Sequence, residues 1–320
     1  MDIHQWVDLR HLDGAFPLPS DEPFTHQSAV AVGLTRRQLL QLVQAGLVCR
    51  MVRGVYRPAS LADTVRTRAL ALALVTPDDC VVVDRHAGWL LGAQMVLAPH
   101  EHLDLRPLSL YRPTGAGRLR NELTRSGERN LTDEDVTQVH GVAVTTPLRT
   151  AWDLGRVRWT DEAISGLDAM FRLQAFSRDE FLAGVERFRR MRWVTTLRAV
   201  GPLADGRSES PGESVLRLRC HECCLGGMVP QLEVWRDEIF LARLDLGDED
   251  LMAAVEYDGA EWHASPAQRE HDRARRVAVR DAGWLIESLT SANVFGHHRD
   301  VEQILFHLGD EARARKRRTA

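Results

Sequence analysis

Lysine is almost missing from this sequence: Lys316 is the only one among 320 residues. Such arginine-for-lysine usage is what a GC-rich genome produces, and it assigns no function. Long apolar runs are missing too. No stretch approaches the ~18 residues that a membrane-spanning helix requires, so no membrane partner is expected. The first residues, Met1-Asp2-Ile3-His4-Gln5-Trp6, lack the basic and apolar regions of a secretion signal, which makes a cytoplasmic location the expectation. Cysteine is scarce: there are five, an odd number without framework spacing, which argues against a disulfide scaffold. Cys220-His221-Glu222-Cys223-Cys224 holds half of a zinc site but has no second Cys/His pair at finger spacing. The helical recurrence of Val215, Leu216, Leu218 and Leu225 reads instead as one face of a helix.

Negative charge is missing from one region. The net charge is -4, which gives no generic affinity for nucleic acid, yet residues 23–62 contain no Asp or Glu. The same window holds Arg36, Arg37, Arg50, Arg53 and Arg57. A second basic block, Arg313, Arg315, Lys316, Arg317 and Arg318, reads as a disordered tail over 313–320 that adds non-specific affinity for nucleic acid.

Residues 1–60 predict helix, turn, helix and ribbon. Thr25 to Gly33 suggests a short helix ended by glycine, and Thr35 caps a second whose inner face is Leu39, Leu40, Leu42 and Val43. Leu47 to Arg57 alternates apolar residues with arginine and reads as a two-stranded ribbon with Gly54 at its turn or at a bulge. That order is the order of a winged helix-turn-helix. Arg36, Arg37, Gln38 and Gln41 fall in the first turns of the second helix, from which side chains reach base edges. Arg50, Arg53 and Arg57 on the ribbon suit phosphate contacts.

Residues 61–206 predict a mixed α/β middle domain. Thr146-Pro147 starts a helix, and Arg149 with Asp153 reads as an i,i+4 pair rather than a catalytic site. Gly201 to Pro211 reads as a linker. Residues 207–312 predict the order αβββαβ: a helix from Glu213 to about Leu225, strands over 229–236, 239–246 and 251–257, a charged helix over 266–282, a strand over 284–289 and a final helix over 301–308. Apolar strands that deliver Asp245 and Glu256 to one sheet edge suit Mg²⁺ or Mn²⁺, which take oxygen ligands and keep several waters.

The third segment resembles the PD-(D/E)XK superfamily in its very-short-patch-repair-like (Vsr-like) branch. The residues that carry the resemblance are Glu213-Ser214 with Arg217, Asp245, Glu256-Tyr257-Asp258-Gly259 with Trp262-His263, Asp272 with Arg276, and Gly283-Trp284. The resemblance covers about a third of the chain. It implies a restriction-endonuclease-like core, a metal on Asp245 and Glu256, assistance from Glu213, and His263 as general base. A neutral imidazole is suited to taking a proton from water. Asp258 stands where the superfamily usually has lysine, a lysine that the Vsr-like branch also lacks.

The first two segments resemble AbiEi-family antitoxins. The carriers are Gly33-Leu34-Thr35-Arg36-Arg37-Gln38-Leu39, Arg53-Gly54-Val55-Tyr56 and the run from Val144 to Leu154. That resemblance implies a DNA-binding domain, repression of an operon, and a nucleotidyltransferase toxin as partner. The expected fold class is therefore α/β, with a winged helix, a mixed middle domain and an endonuclease-like core. Two functional readings follow: a DNA-binding, Mg²⁺-dependent endonuclease, and a non-enzymatic antitoxin-like repressor. A phage-defence component that senses or cuts foreign DNA is a third. On the nuclease reading Arg275 and Arg276 contact phosphate, and Asp272 orients His263; an ordinary solvated helix face is the alternative for all three.

Overall fold

The computed structural model describes residues 3–98, 101, 107–120, 124–259, 266–297 and 299–319. Among them the protein is mixed α/β, with thirteen α-helices and three sheets. It divides into two compact units, Met1–Asp153 and Leu154–Ala320. No helix among the described residues is long and apolar enough to cross a membrane.

The first unit begins with α1 (His4–Leu9), β1 (Phe24–Thr25), α2 (His26–Ala31), α3 (Arg36–Gln44), β2 (Val48–Val52) and β3 (Val55–Pro58). The three strands form a sheet in the order β1-β3-β2, antiparallel throughout. Thr35 caps α3 through a full capping box: its hydroxyl accepts from the Gln38 amide, and Gln38 Oε1 accepts from the Thr35 amide. Such a cap contributes ~1 kcal/mol. Gly54 turns the β2–β3 hairpin at φ +78°, a conformation that side chains rarely adopt. Trp6, Phe16, Phe24, Leu34, Leu39, Leu42 and Leu47 make the core beneath.

A five-stranded sheet follows in the same unit, in the order β6-β5-β4-β8-β7. Its strands are β4 (Val81–Val82), β5 (Leu108–Pro113), β6 (Thr124–Arg129), β7 (Val136–Val139) and β8 (Val142–Thr145). Helices α4 (Val65–Ala73), α5 (Asp84–Leu90) and α6 (Pro147–Gly155) accompany it. A buried ion network ties it together. Arg149 bonds Asp135 at 2.8 Å and Asp153 at 2.9 Å, and Arg129 bonds Asp153 at 2.9 Å and Asp84 at 2.7 Å. The Thr146–Asp153 segment thus has the structural role that its sequence suggests.

The second unit opens with α7 (Thr160–Phe171), α8 (Arg178–Gly184) and α9 (Val194–Val200). Next come α10 (Pro211–Glu222), β9 (Val229–Arg236), β10 (Ile239–Asp248), β11 (Ala253–Asp258), α11 (Pro266–Asp281), β12 (Leu285–Thr290), α12 (Ser291–Phe295) and α13 (Val301–Thr319). The sheet order is β12-β11-β10-β9, with β11 and β12 parallel and the other pairs antiparallel. The stretch from α10 to β12 therefore has the order αβββαβ.

Two expectations change and one holds. Residues 201–211 are not a loose linker: Asp168 accepts from the Asp205 amide at 2.7 Å, Arg172 donates to the Ser208 carbonyl, and Gly206 lies against the backbone of Phe171 and Arg172. Residues 313–319 are not a disordered tail, because α13 runs on to Thr319. Leu305, Leu308 and Ala312 continue its buried stripe, and Glu311 pairs with Arg315 one turn on. The cysteine cluster closes a helix, as its pattern suggests: Cys220 and Cys223 are buried, and burial raises both thiol pKa values.

Candidate functional site

The two strand carboxylates meet through strand register. Leu246 pairs with Val255 and Gly247 with Ala254. Asp245 and Glu256 lie one residue beyond these pairs, on the two adjacent strands. The amide of Tyr257 donates to Asp245 Oδ2 at 2.8 Å. On the other side of β10, Leu244 pairs with Leu232 and Leu246 with Pro230, which brings Gln231 beside Asp245.

Glu213 stands in the first turn of α10. Ser210 caps the helix by accepting from the Glu213 amide at 3.1 Å, and its hydroxyl donates to Glu213 Oε1 at 2.9 Å. Glu213 Oε2 accepts from the Glu209 amide at 2.8 Å and from Gln231 Nε2 at 3.0 Å. Gly212 lets the helix come close, since a Cβ there would lie 2.2 Å from the Tyr257 ring. Sequence reasoning missed Gln231, the Tyr257 amide and the Ser210 cap. Only the last had a signal, the Ser-Pro-Gly-Glu start of a capped helix.

Electrostatics tie the three acids together. Burial pushes the Asp245 pKa up to about 6. The Tyr257 amide opposes that shift, Glu213 and Glu256 add to it, and Arg275 opposes it. Asp245 therefore feels both other carboxylates. Glu256 is buried and differently served: Arg275 Nη2 lies 2.9 Å from its Oε1, and Arg276 Nε 3.1 Å from its Oε2. Arg276 also pairs with Asp258 at 3.1 Å. Both arginines, read from the sequence as phosphate contacts, thus rest on carboxylates. His263 and the Asp272 side chain lie outside the described residues.

The donor set fits a hard divalent cation in its chemistry: carboxylate oxygens on adjacent strands, one of them raised in pKa by burial, with its neighbours' negative charge adding to the shift. No group of three or more such residues is placed to hold a metal among the described residues. Glu213 has turned its oxygens to its own helix cap and Gln231, and Glu256 has turned its own to arginine.

The N-terminal residues divide in two groups. Arg36, Arg37, Gln41 and Arg53 are exposed, and no ion pair engages those three arginines among the described residues. Gln38 is a correction, because its Oε1 is held by the Thr35 amide at 2.9 Å and hydroxyl at 2.8 Å. A glutamine reads adenine with both its oxygen and its nitrogen, so Gln38 caps rather than reads. Arg57 is a correction too: it donates to the carbonyls of Pro58, Ala59 and Leu61 and braces the loop after the ribbon. Arg50 is half-buried on β2.

Together these features define a mixed α/β protein with a carboxylate cluster on one sheet and free arginines on a small helical unit. Two proteins of Mycobacterium tuberculosis are similar to it: "Uncharacterized protein MT2308" of strain CDC 1551 / Oshkosh and "Uncharacterized protein Rv2248" of strain ATCC 25618 / H37Rv. Each is 30% identical over 262 residues, covering 79% of this chain and 89% of the relative. The chain belongs to the family of these mycobacterial proteins. No family model matches it.

Proposed function

We propose that this chain is a cytoplasmic DNA-binding protein whose second unit carries a Mg²⁺-dependent, Vsr-like endonuclease site. The observation that carries the proposal is a buried Asp245, on the strand beside that of Glu256, which feels the charges of Glu213 and Glu256 and has its pKa pushed up to about 6. Perturbed carboxylates of this kind concentrate at functional sites. Asp245 and Glu256 would hold Mg²⁺ or Mn²⁺, and Glu213 would steady the cluster from α10. A divalent cation there activates water and offsets the charge of a phosphodiester transition state. His263, which the Vsr-like resemblance makes the general base, would take the proton from water. Asp258 adds charge beside the site and anchors Arg276.

In the first unit, α2, α3 and the β2–β3 ribbon are read as a winged helix on duplex DNA. Arg36, Arg37 and Gln41 would face the groove and Arg53 a phosphate, each being exposed. The test has two parts. Duplex DNA should bind with an affinity that falls as salt rises. Nicking should require Mg²⁺ or Mn²⁺ and stop in chelator; nicking that persists in chelator would refute a metal-dependent site.

One observation favours a second reading. Both Glu256 oxygens are neutralised by arginine, as suits a nuclease fold retained only as a binding platform. On that reading the protein is an AbiEi-like repressor, and a nucleotidyltransferase toxin is its partner. Binding of duplex DNA without nicking in either metal would select it.

A further inference from the structure

Glu256 and Asp245 stand side by side on one sheet, yet their charges are met in opposite ways. Each oxygen of Glu256 faces a guanidinium of α11, Arg275 at 2.9 Å and Arg276 at 3.1 Å. Asp245 has no ion pair among the described residues; its Oδ2 accepts an amide of β11. Two positive charges thus occupy the electrostatic place of a divalent cation, on one side of the cluster only.

We propose that Arg275 and Arg276 form a built-in counter-charge that competes with the divalent cation for Glu256 and yields when a phosphodiester draws the arginines away. The inference rests on the metal-site reading above. A cation approaching Glu256 meets two like charges within a few ångströms, in surroundings where such repulsion is poorly screened. The same arginines can leave. Their side chains are 26% and 28% exposed, enough for a phosphate to reach them from solvent. Arginine pairs with phosphate as readily as with carboxylate, through the same planar fork. Arg275 also donates to the Arg243 carbonyl at 3.2 Å, an anchor beside the site from which the guanidinium can swing. By linkage, whatever occupies the arginines raises the affinity of Glu256 for the cation. The site would then load its metal when nucleic acid is present and stay discharged when it is not.

Binding of Mn²⁺ to the full chain, read from the electron paramagnetic resonance signal of the free ion, tests this without any cleavage. Arg275→Gln combined with Arg276→Gln should bind Mn²⁺ about 10-fold tighter than the wild type, within the ~5- to 150-fold range usual for coupled sites. Adding Asp245→Asn to that pair should abolish the binding. A short duplex should tighten Mn²⁺ binding by the wild type and leave the double variant unchanged, once the ion held by duplex alone is subtracted. Equal or weaker Mn²⁺ binding by the double variant overturns the competition and leaves the metal site standing. Absence of Mn²⁺ binding by wild type and variant, with and without duplex, overturns the metal site and the competition with it. Arg276→Lys serves if the double variant melts below the assay temperature. It keeps the charge but loses the fork on Glu256 and Asp258, so an intermediate affinity is expected, and one equal to the wild type counts against the proposal.

Discussion

Arginine does different work in the helix–ribbon region and in the rest of the chain. In the helix–ribbon region, forty residues pass without an acid, and Arg36, Arg37 and Arg53 stand in solvent with no ion pair among the described residues. Elsewhere several arginines are met by acids: Arg149 by Asp135 and Asp153, Arg217 by Asp168, Arg219 by Asp161, Arg243 by Glu209, and Arg275 and Arg276 by Glu256. The difference separates charge that is available to a partner from charge that holds the fold or a site together. An exposed arginine loses little on meeting a phosphate. One lodged on a buried carboxylate must first leave it, and the carboxylate then carries an unmet charge.

This contrast is sharpest in stability. Arg149→Ala should cost ~3–5 kcal/mol, because it removes the guanidinium that faces buried Asp135 and leaves buried Asp153 to Arg129. Arg36→Ala should stay within ~0.5 kcal/mol, as exposed substitutions usually do. Calorimetry of the two variants would break the comparison if both lowered the melting temperature alike.

The next effect has the opposite sign. Asp245 ionises near pH 6 in the folded chain against an ordinary aspartate value of 3.8, so between those values the folded state holds the extra proton. The contribution of Asp245 to stability is therefore greatest below about pH 4, declines as pH rises to about 6, and stays lower above by about 3 kcal/mol. Asp245→Asn should recover most of that at pH 7 and flatten the acid side of the profile. Urea midpoints from pH 4 to 8 report it, and a variant no more stable than the wild type at pH 7 counts against a strained carboxylate.

Smaller effects follow. Gly212→Ala should cost ~1–3 kcal/mol, since its Cβ would meet the Tyr257 ring at 2.2 Å. Its Mn²⁺ affinity should fall as well, because the ring and the first turn of α10 carry Glu213. Arg36→Ala with Arg53→Ala should leave folding intact and lower the salt slope of DNA binding by ~0.9 for each phosphate that is no longer neutralised. An unchanged slope would remove those arginines from the interface.

What could be read in the sequence depended on local signals. The Thr35 cap, the Gly54 turn and the elements of the αβββαβ order rest on short-range patterns, and the residues involved sit where those patterns put them. The middle sheet was harder. Thr124–Arg129 is polar throughout and pairs with β5 only because the fold brings it there. The tail misled through composition: its basic residues look solvated, but they follow a buried stripe with no Pro, and no Gly after Gly309, to stop the helix. The carboxylates were legible as residues. Their partners were not, since the pairing of Arg275 and Arg276 with Glu256 depends on how α11 lies against β11.

The most direct test of the metal site is nicking of supercoiled and mismatched duplexes in Mg²⁺ and in Mn²⁺, with the wild type beside Asp245→Ala. Metal-dependent nicking by the wild type and none by the variant is the expected result, because the substitution removes a proposed cation ligand and with it the activated water and the charge clamp. Matching traces for the two proteins, across both metals and both substrates, would contradict it.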